Sequence, residues 1–113
     1  MLTRRQKVKI EKKTVVICTR DGAEEKRAEI HGGHFALFKV KYGWNITHIA
    51  SGLSIYRQVI GRKSVALGAI DILLTADWAS AGGSFGRPPD FSREDIKRVI
   101  RETNRFLYGT SSY

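Results

Sequence analysis

Cysteine and long apolar runs are scarce in this chain, and each scarcity excludes a class of protein. The 113 residues include one cysteine, Cys18, so an internal disulfide and a cysteine-based zinc cluster are both excluded. No apolar run approaches the roughly 18 residues that a membrane-spanning helix needs. The first residues are charged and lack the apolar segment of a secretory signal. These absences predict a cytoplasmic protein without a membrane partner.

Acidic residues are also scarce. Eleven Asp and Glu stand against 20 Lys and Arg, which gives a net charge of +9, and no acidic residue lies between Ile30 and Ile70. A surplus of this size attracts polyanions such as nucleic acid or an acidic protein surface. The plainer interpretation is that the surplus lysine only keeps the protein soluble.

The length and composition are those of a single soluble domain. With 113 residues, of which 42% are hydrophobic and 27% charged, the chain is large enough for one core and too short for two. We expect residues 1–113 to form one domain. Within it, residues 1–6 are expected to be a frayed basic end, 79–90 a loop rich in glycine and proline, and 110–113 a tail.

The first half of the chain has the pattern of antiparallel strands. Segments rich in β-branched and aromatic residues alternate with turn signals such as Asp21-Gly22 and Gly32-Gly33. Residues 14–20 are apolar enough to be covered on both sides, and Gly43 is expected to break a strand. Six segments fit this pattern, at residues 7–11, 14–20, 25–31, 35–42, 44–49 and 53–60. The expected result is an antiparallel meander of about five strands.

Two helices are predicted after the strands. Residues 65–78 are apolar nearly all the way round, with Ser64 as the capping residue, so this helix must be covered on more than one side. The second helix begins with a capping box of Ser92 and Asp95 and ends at Gly109. Its apolar stripe contains Ile96, Val99, Ile100, Thr103 and Phe106 or Leu107. We therefore expect an α+β fold in which both helices pack on the sheet.

The second helix also carries a row of cations. Arg93, Lys97, Arg101 and Arg105 follow one another at intervals of four, which places them on one helix face. This face is either a solvated surface or a ridge that meets phosphate groups. The full set of candidate nucleic-acid-binding residues is Arg4, Arg5, Lys7, Lys9, Lys39, Lys41, Arg57, Arg62, Lys63, Arg93, Lys97, Arg101 and Arg105.

No residue pattern identifies a catalytic, metal or cofactor site. His31 and His34 bracket a glycine turn, but two ligands do not make a metal site. His48 is expected to be a partly buried structural histidine, although an acid/base role in cleaving nucleic acid is a minor alternative. Residues 82–86 lack the lysine of a phosphate-binding loop. The tip at residues 85–87 is either a plain linker or a Phe and Arg pair that contacts a ligand.

Two resemblances concern the middle of the chain. The segments FALF at residues 35–38 and WNITHIASGL at 44–53, followed by a basic turn into a helix, look like small uncharacterised proteins of bacteriophages and other mobile elements. The order of strands, Arg62-Lys63-Ser64 and helix is similar to AP2 and integrase arm-binding domains. That resemblance implies a sheet in the DNA major groove with Arg and Trp contacts. This chain has additional strands, a second helix and fewer arginines on its sheet.

The leading hypothesis is a small, non-enzymatic protein that binds nucleic acid, with DNA favoured over RNA. A second hypothesis is an interaction module or inhibitor that uses its basic surface against an acidic protein. A third is a metal-independent nuclease that acts through His48. The sequence leaves self-association open.

Overall fold

The computed structural model describes residues 10–56 and 58–109. It has an α+β fold, in which a five-stranded antiparallel sheet of order β1-β2-β3-β4-β5 precedes the helices. The elements are β1 (Glu11–Thr19), β2 (Gly22–His31), β3 (Phe35–Val40), β4 (Gly43–His48), β5 (Leu53–Ser54), α1 (Lys63–Leu73), α2 (Trp78–Ala81) and α3 (Glu94–Tyr108). The strand expected at 7–11, the frayed end at 1–6 and the tail at 110–113 lie wholly or largely outside the described residues.

The sheet curls until its first strand meets its last turn. The Cys18 N–H donates to the Gly52 carbonyl over 2.7 Å, which joins β1 to the β4–β5 connection. One face of the sheet carries a small apolar cluster of Val15, Ile17, Ala28, Ala36 and Phe38. The opposite side of β1 is uncovered, because the Val16 side chain is 45% exposed. The expectation that residues 14–20 are covered on both sides was therefore wrong.

The main core lies on the other face of the sheet. Phe35 and Leu37 alternate with Ala36 and Phe38 along β3, so this strand buries apolar side chains on both faces. The core is completed by residues from β4, from the segment after β5 and from the helices, chiefly Ile46, Tyr56, Ile60, Ile70, Leu73, Trp78, Ile96 and Val99.

Helix α1 is shorter than predicted and is followed by a separate short helix. It begins after Arg62, whose side chain makes no capping hydrogen bond, so Ser64 is not the cap. It ends at Leu73, and the Trp78 indole N–H folds back to donate to the Leu73 carbonyl over 2.6 Å. The Asp77 carboxylate then accepts from the Ser80 N–H and starts α2. The predicted helix at 65–78 was thus wrong at both ends.

Helix α3 packs mainly on α1, and α1 in turn contacts β4. The two helices run antiparallel, since the Asp77 N–H donates to Asp95 at one end and the Phe106 ring lies against Gly68 further along. The apolar stripe was predicted correctly, with Ile96, Val99 and Thr103 buried. The capping box does not form, because Asp95 accepts hydrogen bonds from Asp77 and Ile96 rather than pairing with Ser92.

The predicted strand at 53–60 forms a strand beside β4 only over Leu53–Ser54, and the Ile55 N–H adds one hydrogen bond of 2.9 Å to the Ile46 carbonyl. The chain then leaves the sheet and returns at Ile60, which exchanges two backbone hydrogen bonds with Trp44, of 2.7 and 3.0 Å. Gly43 does not break a strand but begins β4. A Cβ there would lie 2.3 Å from the Ile60 carbonyl oxygen, so the close approach of this segment requires glycine.

Within residues 10–56 and 58–109, no helix is long and apolar enough to cross a membrane.

Candidate nucleic-acid interface

Lysines from two different elements converge on Trp44. Lys39 lies opposite Trp44 in the β3–β4 register, and its Nζ is 5.7 Å from the centre of the indole ring. Lys63, at the start of α1, places its Nζ 5.2 Å from the same ring. Cation–π attraction keeps both ammonium groups close to this half-buried side chain. The sequence separates these three residues widely, and the fold brings them together.

The turn between β3 and β4 adds a second aromatic residue to this surface. Tyr42 is 78% exposed, and the Nζ of Lys41 lies 5.3 Å from its ring centre. The turn is short, because Val40 and Gly43 on either side of it are paired. We call the surface formed by Lys39, Lys41, Tyr42, Trp44, Arg62 and Lys63 the Trp44 patch.

Lys63 is partly committed to an internal ion pair. Its ammonium group donates to Glu29, a β2 residue that is only 8% exposed, and His31 Nε2 lies 3.2 Å from the other carboxylate oxygen. Burial alone raises the pKa of Glu29, but the hydrogen bonds and charges of Lys63 and His31 outweigh it and lower the pKa below 4.5. Replacing Lys63 would leave the buried Glu29 carboxylate without this partner and would destabilise the fold. A Lys63 variant would therefore be a poor test of binding.

The α3 ridge, formed by Arg93, Lys97, Arg101 and Arg105, is not uniformly available. Arg93 Nε lies 3.2 Å from Asp95, and Lys97 Nζ lies 3.3 Å from Glu94. Arg101 and Arg105 are exposed, and among the described residues neither has a carboxylate within ion-pair distance. The C-terminal half of the ridge therefore has the cations best placed for an external anion.

The half of the α3 ridge that holds Arg101 and Arg105 lies toward the same end of the molecule as the Trp44 patch. Because α1 and α3 are antiparallel, the half of α3 that holds Arg101 and Arg105 runs toward the start of α1. Arg62 and Lys63 lie at that start. The remaining candidate cations lie outside the described residues and are not assigned to this surface. They are Arg4, Arg5, Lys7, Lys9 and Arg57.

His48 is enclosed between β3 and the segment that follows α1. It is 2% exposed, its Nδ1 lies 2.9 Å from Ser51 Oγ, and its ring is 5.7 Å from that of Trp78. Gly83 also packs against the imidazole. The sequence predicted a partly buried histidine, and the structure buries the side chain almost completely. The ring is therefore not placed to receive a proton from a substrate on the surface.

Burial of His48 predicts a pH dependence of stability. Desolvation, helped by the nearby charge of His34, lowers the pKa of His48 below the 6.5 of the unfolded chain. The unfolded chain therefore takes up this proton first as the pH falls. The stabilising contribution is complete above about pH 6.5 and is lost as the pH drops through the folded-state pKa.

We expect the free energy of unfolding, measured with urea, to fall between pH 7.5 and 5. The fall should be smaller in His48→Gln, which keeps a polar side chain but does not titrate. Four carboxyl groups with lowered pKa values lose their contributions only below about pH 4.5, and they are Glu29, Asp77, Asp90 and Asp95. Equal pH slopes in the two proteins would contradict the assignment to His48.

The other sequence candidates, His31 and the loop tip at residues 85–87, make contacts within the protein itself. His31 contacts Glu29, a residue of β2. The described residues contain no group of three or more His, Cys, Asp or Glu side chains that could hold a metal ion. The loop tip at Phe85 docks on the β4–β5 connection, because the Gly86 N–H donates to the Ser51 carbonyl over 2.8 Å and the Phe85 ring lies against Gly52.

Comparisons with protein-family models, curated proteins and solved structures gave no match.

Two residues of this surface were missed by sequence reasoning about the site. The predicted strands at 35–42 and 44–49 contain Tyr42 and Trp44, and the candidate binding residues include neither of them. The segment Lys41-Tyr42-Gly43 did contain a signal, because a glycine beside a lysine and an aromatic residue is compatible with a turn whose tip is exposed.

Proposed function

We propose that this protein binds nucleic acid without catalysing a reaction, through the Trp44 patch and the exposed half of the α3 ridge. The observation that carries the proposal is the convergence of Lys39 and Lys63 on Trp44, beside the exposed Lys41–Tyr42 turn. Lysines next to aromatic rings match a ligand that presents both phosphate charge and flat bases. Solubility alone does not require such an arrangement.

The net charge of +9 supports the same interpretation. Phosphate contacts account for most of the affinity of many nucleic-acid-binding proteins, and Lys and Arg provide them irrespective of base sequence. Reading of bases from an open sheet face, as in AP2-type domains, is not part of the proposal, because β3 buries side chains on both faces. DNA remains the favoured ligand over RNA, and the resemblance to proteins of bacteriophages and mobile elements is kept as a hypothesis.

The proposal predicts which cations matter. Reversing charge singly in Lys39→Glu, Arg101→Glu and Arg105→Glu should weaken binding to all sequences alike, each by about tenfold, as expected for a charged hydrogen bond worth about 1.4 kcal/mol. Binding to short fluorescent DNA and RNA oligonucleotides can be followed by anisotropy. Each variant should unfold at the same denaturant concentration as the parent protein, since these three side chains are exposed.

Arg87→Glu provides a charge-matched control. Arg87 is exposed and lies in the loop that docks on the β4–β5 connection, away from the Trp44 patch. We expect this variant to bind like the parent protein. A loss confined to Arg87→Glu would move the interface to the tip at residues 85–87. No binding to DNA or RNA at low salt, together with capture of an acidic protein, would favour the second hypothesis.

A further inference from the structure

Among the large apolar and aromatic side chains that the structure describes, that of Tyr42 is the most exposed. It lies at the tip of the β3–β4 hairpin, between two paired residues, Val40 and Gly43. An aromatic ring held on a short paired turn loses little conformational entropy when it stacks on a flat ligand, because it has only two side-chain torsions. The ammonium group of Lys41 lies 5.3 Å from the centre of this ring.

Trp44 cannot serve the same purpose. It is half-buried, packs against the main core, and has the ammonium groups of Lys39 and Lys63 close to its ring. The two aromatic residues of the Trp44 patch therefore have different roles. Trp44 helps to hold two cations next to the turn of the hairpin. Tyr42, which has one ammonium group near its ring, is the aromatic side chain there that is largely exposed.

We propose that Tyr42 is a stacking platform for an unpaired base, so that the preferred ligand is single-stranded nucleic acid. This inference rests on the proposed function and specifies its substrate class. In a duplex, neighbouring base pairs cover both faces of each internal base, whereas an unpaired base offers a free face to an aromatic ring. Lys41, whose ammonium group lies 5.3 Å from the centre of the Tyr42 ring, supplies a positive charge for the phosphate of a nucleotide whose base stacks there.

The test compares Tyr42→Ala, Tyr42→Phe and Phe85→Ala with the parent protein. The ligands are labelled twelve-nucleotide oligo(dT) and oligo(U), and a DNA hairpin duplex with a capped end, all at one salt concentration. Tyr42→Ala should weaken binding of the single strands roughly 5- to 150-fold, the range that alanine substitution of a stacking residue produces, and leave duplex binding unchanged. Tyr42→Phe should bind within about twofold of the parent protein, since the phenyl ring still stacks.

Phe85→Ala is the matched control, because Phe85 is another exposed aromatic residue, on the loop beside the β4–β5 connection. It should bind all ligands like the parent protein. An equal effect of Tyr42→Ala on single strands and duplex, or no effect on either, would overturn the stacking role and leave the proposed function standing. Failure of the parent protein to bind any of the three ligands would overturn both.

Discussion

Replacing Trp78 with alanine should lower the free energy of unfolding by about 3 to 5 kcal/mol, the usual cost of removing a buried tryptophan. Trp78 is 2% exposed and lies edge-on to Phe35, with ring centres 4.9 Å apart. Its indole N–H also donates to the Leu73 carbonyl. One side chain thus joins the end of α1 to β3, and its loss leaves a cavity between the two layers.

Trp44→Ala is the control for this prediction. It removes the same atoms from a half-buried position, so its cost should be clearly smaller. Unfolding is best followed by far-ultraviolet circular dichroism, because each variant lacks one of the two tryptophans that would report by fluorescence. Equal losses of stability in the two variants would show that Trp78 does not hold the layers together.

Leu73→Ala should cost about 2 to 5 kcal/mol, from lost transfer free energy and the cavity left behind. Leu73 is completely buried at the end of α1, within the main core. A domain of this size has about 5 to 15 kcal/mol of total stability, so the variant should unfold at a much lower urea concentration.

Leu74→Ala is the matched control for Leu73→Ala, because it makes the same substitution one position later. Leu74 is only partly buried and lies over Gly32, so we expect about half the loss or less. Arg101→Ala, on the exposed face of α3, should change stability little. If Leu73→Ala were as stable as either control, α1 would not be the central helix of the core.

The parts of the fold that the sequence predicted well depend on local chemistry. The antiparallel meander follows from turn residues between short β-rich segments, and the buried stripe of α3 follows from helical periodicity around Ile96, Val99 and Thr103. Both signals lie within a few residues of the structure that they specify. The end of α1 was missed because it depends on Trp78 returning to the Leu73 carbonyl, and apolar periodicity continues through that point.

The candidate site was less predictable because its contacts are long-range. The Glu29–Lys63 ion pair joins residues 34 positions apart, and nothing in the local sequence of either residue identifies its partner. Lys97, Arg101 and Arg105 were correctly predicted to share a helix, whereas Arg93 is the extended residue just before α3. The carboxylate partners of these cations also differ. Arg93 and Lys97 are paired, whereas Arg101 is exposed without such a partner among the described residues.

The salt dependence of nucleic-acid affinity tests the central claim most directly. If about four or five phosphates of a DNA duplex, or about six of a single strand, are contacted, the logarithm of the association constant should fall with a slope of about −4 against the logarithm of salt concentration. This corresponds to a loss of a few hundred-fold between about 50 and 200 mM. Arg105→Glu should reduce the slope by about one, and Arg87→Glu should leave it unchanged. An affinity independent of salt, or a slope that no cation of the Trp44 patch or the α3 ridge alters, would contradict the proposed interface.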